Sequence, residues 1–214
     1  MTQSTAKKPV TGRTATREAR RQQLINATIN SISKRGFSGT TLATVTKGAK
    51  LSHGVVNFYF DSKESLYVET LGFLAQEHYE YWTAAMAKAA PKPAAQLAAI
   101  LEADFEPAIC STKKLAVWFA FWGQAKQRPT YLNIHNTYDE RRTDELQRLC
   151  AEITEDGQYD HIVPAETTRI IESLIDGLWL QLLLYPKTLD RTEARNNCFN
   201  YLANLFPKHF TRCT

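Results

Sequence analysis

The sequence predicts an all-α protein of about nine helices. Three observations lead there. Apolar residues recur at helical spacing along most of the chain, and no sustained period-2 alternation interrupts them. Glycine, proline and capping residues cut the pattern into segments of ordinary helix length. At 214 residues, 43% apolar and 22% charged, the chain is large enough to bury a substantial core.

Residues 1–16, MTQSTAKKPVTGRTAT, hold almost no large apolar side chain and read as a disordered basic arm. A first helix begins at Arg17, carries Leu24, Ala27, Thr28 and Ile32 at helical spacing, and stops at Gly36, a natural C′ residue. Thr40 and Thr41 can cap a short second helix that turns Leu42 and Val45 to one side. The next stretch, LSHGVVNFYF over 51–60, is strand-like in composition. Yet Ser52 sits where an N-cap belongs, and Leu51 and Val56 have the spacing of a hydrophobic staple. Val56 and Phe60 are also four residues apart, so a third helix is expected, joined to the second by the tight turn Ala49-Lys50-Leu51.

Asp61, with Glu64 three residues later, gives a capping-box start to a long fourth helix from Ser62 to about Ala90. It ends before Pro91-Lys92-Pro93. Further helices are expected over 94–109, 112–127, 130–155, 165–185 and 190–205.

Several function classes drop out. The longest apolar run, Leu178–Tyr185, is broken by Gln181 and falls short of the ~18 residues that span a bilayer. The N-terminus has no apolar signal core, so a cytoplasmic protein without a membrane partner is expected. Four cysteines (110, 150, 198, 213) and five histidines are scattered without metal-ligand spacing, so neither a metal nor a cofactor is expected. Neither a phosphate-cradling glycine loop nor a nucleophile elbow is found, and nothing argues for an enzyme.

Charge is distributed unevenly. Residues 1–65 carry eleven Lys/Arg against three Asp/Glu, a net +8, whereas the remainder carries fifteen against nineteen, a net −4. A basic front end on an acidic body fits a nucleic-acid partner. Two short helices joined by a tight turn form a helix-turn-helix, whose second helix enters the major groove of double-stranded DNA end-on. In that geometry His53 and Asn57 can bond base edges, Val55 can touch a thymine methyl, and Gly54 lets the backbone come close. Tyr59 and Lys63 can reach phosphates, as can backbone amides at the capped starts of the second helix, behind Thr41, and of the fourth; Ser52, the N-cap of the third, belongs to the same DNA-binding set. Each of these residues, taken singly, reads equally well as a solvated side chain.

Residues 17–71 resemble the DNA-binding domain of the TetR family of one-component repressors. The resemblance rests on Thr41, on Ala49-Lys50-Leu51-Ser52-His53-Gly54-Val55-Val56-Asn57-Phe58-Tyr59-Phe60, and on Ser62-Lys63-Glu64-Ser65-Leu66. Lys50 replaces the family's turn glycine, Thr46 its small helix-two residue, and Asn57 its first tyrosine. The resemblance implies a DNA-binding domain over 17–66 and a ligand-binding and dimerisation domain over 67–214. It further implies a homodimer on a near-palindromic operator, released by a small-molecule effector. Residues 116–148 and 170–183 resemble the BetI-type branch, typified by a choline-responsive repressor, which makes a quaternary ammonium one candidate effector.

On physical grounds, Trp118 and Trp122 lie one turn apart beside Phe121, on a helix apolar nearly all round. Such a cluster can cage a quaternary ammonium, with about 2 kcal/mol or more per desolvated cation–π contact. Tyr138, Trp179, Trp82 and Phe105 are candidates to complete it, with Asp104, Glu140 or Asp176 as counter-charges. Ordinary core packing explains the same aromatics. Leu174, Leu178, Leu182, Phe199 and Leu202 are expected at a dimer interface built from the last two helices, with intrasubunit packing as the alternative. Two other functions remain open: a DNA-binding regulator without an effector, and a carrier or enzyme that uses the aromatic cluster.

Overall fold

The computed structural model describes residues 12–213, except for the side chains of residues 12–16 and of residue 53. Nine helices and no strand are present among them. Helix α1 spans Gly12–Gly39, so it begins inside the segment expected to be a disordered arm. Residues 1–11 of that arm lie outside the described residues. Gly36 breaks the helix as expected: at φ 70° and ψ 178° it adopts a conformation that side-chain-bearing residues avoid.

Helix α2 is Leu42–Ala49, with Thr41 as N-cap. Thr41 and Thr44 each accept the other's backbone N–H, a reciprocal capping box. Lys50 follows in the left-handed region, φ 54° and ψ 41°, in place of the expected glycine. A left-handed non-glycine costs about 1–2 kcal/mol. The turn holds regardless, with the Lys50 and Leu51 N–H groups bonding Lys47 and Thr46 carbonyls. From α1, the Gln23 amide donates to the Ala49 carbonyl at 2.6 Å.

Helix α3, His53–Tyr59, settles the strand-like stretch. Val56 and Phe60 are almost wholly buried, at 0% and 3% exposure. Burying each is worth about 1.5–3 kcal/mol. That outweighs the few tenths of a kcal/mol per residue lost in poor helix propensity.

Helix α4, Lys63–Lys88, is capped by Ser62, whose box partner is Ser65; the Asp61–Glu64 pairing expected from sequence is one residue early. The remaining helices are α5 (Pro93–Ala103), α6 (Thr112–Ala125), α7 (Pro129–Gly157), α8 (Pro164–Leu184) and α9 (Arg191–Leu205). Helix α5 stops six residues before the expected 109.

Helices α1–α3 and the start of α4 form the front end. There α1 packs on α2 and α6, while α4 runs back to pack on α5 and α7. Helix α8 lies against α7 and α6 and carries α9 on its other side. One continuous core joins Leu24, Val45, Val56 and Phe60 of the front end to Leu97, Leu146, Ile171 and Leu202 of the body.

Candidate functional site

The front end offers one surface with a shared direction. Along α3, Gly54, Asn57 and Phe58 are exposed, opposite the buried Val56 and Phe60. A Cβ added to Gly54 would meet no atom within 4 Å, so the fold itself does not require glycine there. Val55 and Tyr59 are half-buried on the flanks, and Lys63 is half-buried at the start of α4. The His53 side chain lies outside the described residues. Ser52 occupies the N-cap position, but its side chain makes no capping hydrogen bond. Thr41 is exposed and occupied by its capping box.

Arg21 of α1, to which sequence reasoning gave no role, anchors α3. Its guanidinium donates to the Tyr59 carbonyl at 2.9 Å, lies over the Phe60 ring and pairs with Glu69 of α4. Its signal was long-range and no spacing could reveal it.

The body contains a cavity between α4, α6, α7 and α8. It has about 60 Å³ open to the centre of a water molecule, several times the ~10–15 Å³ one water needs. Trp82, Trp118, Trp122, Tyr138 and Trp179 all line it, from four different helices. Of the seven aromatics singled out from sequence, Phe105 and Phe121 do not. Phe121 points the other way, into an aromatic cluster with Phe37, Tyr67 and Tyr131. Phe105 is buried near Arg191 and Arg195, away from the cavity. Tyr79, His78 and His135 complete the ring wall.

Four carboxylates line the cavity, Asp104, Asp139, Glu172 and Asp176, against one guanidinium, Arg142. Glu140, a third counter-charge considered from sequence, is exposed and absent from the wall. Asp104 is fully buried between Arg142 at 2.5 Å and the His78 Nε2 at 2.7 Å. Burial alone would raise its pKa; Arg142 and His78 more than offset this and hold it below the usual carboxylate range. Its backbone carbonyl, left without a helical partner where α5 ends ahead of Pro107, accepts the Trp179 indole N–H at 3.0 Å. Arg142 also faces Glu172 at 3.6 Å, and Glu172 accepts the Thr143 hydroxyl at 2.6 Å.

Asp176 differs from these. Burial among protein atoms, then the nearby Asp139 carboxylate, push it up to about 6, with Arg142 opposing. It is nonetheless open to solvent, as a group on the wall of a concavity can be: crowded on several sides yet reachable through the mouth. The cavity therefore pairs an aromatic wall with more negative charge than its single guanidinium neutralises. It can hold a small cation by cation–π and ionic attraction together.

Cavity and front end are physically joined. Helix α4 contributes His78, Tyr79 and Trp82 to the cavity and Ser62–Tyr67 to the front end. Arg128, at the start of α7, pairs with Glu64 in the first turn of α4 and lies over the Phe37 and Tyr131 rings. The Tyr67 hydroxyl donates to the Thr40 carbonyl at 3.0 Å, just ahead of α2, and burial raises its pKa to about 12. Of the predicted interface residues, Leu178, Leu182, Phe199 and Leu202 are already buried in the subunit's own core, and Leu174 is half-buried.

Comparison with known proteins gives a consistent result. Residues 24–70 match the family model described as bacterial regulatory proteins, tetR family, and residues 93–207 match that of the BetI-type transcriptional repressor C-terminal domain. The HTH-type transcriptional regulator BetI of Burkholderia mallei (strain NCTC 10229) is 33% identical over 189 residues, covering 88% of this chain and 94% of that one. Its counterpart in Burkholderia cenocepacia is 31% identical over 186 residues, covering 87% and 93%. Among solved structures, a protein described as a transcriptional regulator from Pseudomonas aeruginosa PAO1 superposes with a TM-score of 0.77 at 23% identity, covering 91% and 95%. Another so described, from Saccharomonospora viridis and in complex with choline, gives 0.75 at 17% identity, covering 87% and 96%. At those identities the structures establish a shared fold.

Proposed function

The chain belongs to the TetR family, with a BetI-type C-terminal half, and is a DNA-binding transcription regulator; from that premise we propose that it is a dimeric repressor released from a near-palindromic operator by a small quaternary ammonium such as choline. The observation that carries this reading is the cavity. All four tryptophans of the chain line it, together with four carboxylates and one guanidinium. A fixed cation gains from both features at once, whereas an anion or a neutral apolar ligand gains from one at most. The choline found with the Saccharomonospora viridis protein supports the same class. A body without any cavity would instead have favoured a regulator without an effector.

For DNA, the reading assigns base contacts to the exposed α3 face and to His53 and Asn57, and phosphate contacts to Tyr59, Lys63 and the starts of α2 and α4. Ser52, with its hydroxyl free of a capping bond, joins the phosphate set. The dimer contact shifts from the buried leucines to the outer face of α8, where Ile170, Ser173, Gly177, Leu180 and Leu184 follow helical spacing. Gly177 supports this choice. A mid-helix glycine costs about 1 kcal/mol, and a Cβ there would meet no atom within 4 Å in the subunit. Close approach of a partner helix would account for it.

Release follows as a population shift. A cation drawing α4, α7 and α8 together around the cavity moves α4 and the Arg128–Glu64 contact, and with them the spacing of two α3 helices. Titration of the operator complex with choline, betaine aldehyde and an uncharged isostere of choline tests the reading. The two cations should weaken DNA binding, typically about 5–150-fold, and the isostere should not. If no cation changes operator affinity, the effector assignment is wrong.

A further inference from the structure

Phe58 is the most exposed large apolar side chain described, at 71%. Most of its possible burial is unrealised in the subunit. Its described aromatic contact is the adjacent Tyr59, edge-on at 5.1 Å. Exposure here is not the looseness of a chain end. Helix α3 is fixed by Val56 and Phe60 in the core and by Arg21 bonding the Tyr59 carbonyl, so the ring is presented from a rigid element. Gly54 lies one turn before it on the same face, Asn57 is exposed beside it, and exposed Lys47 and Lys50 precede α3 in the chain while half-buried Lys63 follows it.

The occupant of that face in a helix-turn-helix regulator is the major groove. The groove wall is almost entirely donors and acceptors, which give a phenyl ring nothing. Its one apolar feature is the 5-methyl group of thymine. Val55, the side chain that sequence spacing suggested for that contact, is half-buried and less available.

We propose that Phe58 is a specificity-determining residue that seats against a thymine methyl in each operator half-site. This rests on the family's DNA-binding activity and adds a base-reading role for a residue whose type can form no hydrogen bond. Phe58 and Asn57 are both exposed but point about 100° apart around α3, so they read different positions, one by methyl contact and one by hydrogen bonding.

The test uses the full chain and duplexes that the wild-type protein recovers from a random-sequence library. Each thymine in the recovered site is replaced singly by deoxyuracil, which removes the methyl group and leaves the hydrogen-bonding edge intact. Binding is followed by fluorescence anisotropy. One thymine per half-site should show a roughly four-fold loss for the wild type, the effect of one buried methyl. Phe58→Ala should bind thymine and uracil duplexes equally, and Phe58→Leu should keep part of the discrimination. Binding to unrelated duplex should not change in either variant. A wild type indifferent to every uracil substitution overturns the proposal, as does a Phe58→Ala protein that still discriminates. Altered self-association of Phe58→Ala with unchanged operator binding would also overturn it, marking a protein contact instead. Failure of the wild type to recover any duplex would remove the DNA-binding premise itself.

Discussion

Asp176→Asn gives the sharpest view of the cavity's chemistry, read through the pH dependence of choline binding. Asp176 titrates at about 6 in the folded chain, raised by burial and by Asp139. At that value about nine in ten molecules are ionised at pH 7 and about one in ten at pH 5. Choline's own charge is independent of pH, so any change in affinity belongs to the protein. The wild type should bind roughly ten-fold more weakly at pH 5 than at pH 7 through this group alone.

Other titratable groups face the same space: His78 from α4, Asp104 after α5, His135, Asp139 and Arg142 from α7, and Glu172 from α8. They are common to both proteins, so the ratio of wild-type to variant affinity reports Asp176 together with its coupling to Asp139. Asparagine resembles the protonated acid. The two proteins should therefore bind choline alike at pH 5 and differ by about ten-fold or more at pH 7. Because all four tryptophans line the cavity, intrinsic fluorescence reports occupancy directly. A ratio that stays constant from pH 5 to 7 would rule out a charged Asp176 as a partner of the bound cation. The stability linkage has a definite sign too. A carboxyl whose folded pKa is raised contributes stability below its unfolded value near 3.8 and loses it as pH rises through 6. Without ligand, Asp176→Asn should melt higher than wild type at pH 7.5, and not at pH 4.

Arg142→Met leaves Asp104 buried without its cation and should cost about 3–5 kcal/mol in urea denaturation. Adding Asp104→Asn should recover part of that loss. Gly157→Ala would put a Cβ 2.0 Å from the Tyr159 ring, displacing the hydroxyl that meets His209 at 3.1 Å. A thermal melt should register about 1–3 kcal/mol of overpacking. Lys63→Ala should weaken binding to all duplexes and flatten the salt dependence by about one unit of slope. Asn57→Ala should instead relax selectivity between operator and mismatched sites.

Local patterns carried much of the fold. Spacing and punctuation located all nine helices, and the staple Leu51–Val56 together with Phe60 overruled the β-favouring composition of residues 55–60. The differences at helix ends have local causes, whereas those at the sites depend on residues far apart in the chain. Helix α5 ends at Ala103 rather than 109 for a reason that is local: Pro107 has no N–H for the Ala103 carbonyl and disfavours helical backbone at Glu106. The contacts that then fix Asp104, from Arg142 38 residues on and the Trp179 indole 75 residues on, have no local signal. Ser62 displaced Asp61 as the cap because Ser65 supplies the reciprocal partner.

The same limit applies to the sites. Helical spacing singles out Trp118 and Trp122, which line the cavity, but does not tell that Phe121, on the same helix, turns toward Phe37 and Tyr131. Periodicity also assigns Leu178 and Leu182 an apolar face without saying whose core they fill; both are buried in their own subunit. Arg21, Asp139 and Glu172 carry no local signature, since each acts across helices far apart in the chain.

If cavity and operator-binding face are coupled, the coupling must be reciprocal. Choline affinity would be measured by tryptophan fluorescence with and without saturating operator, and operator affinity with and without saturating choline. Both affinities should weaken by the same factor, about 5–150-fold. Saturable choline binding in the cavity with operator affinity unchanged would contradict that coupling.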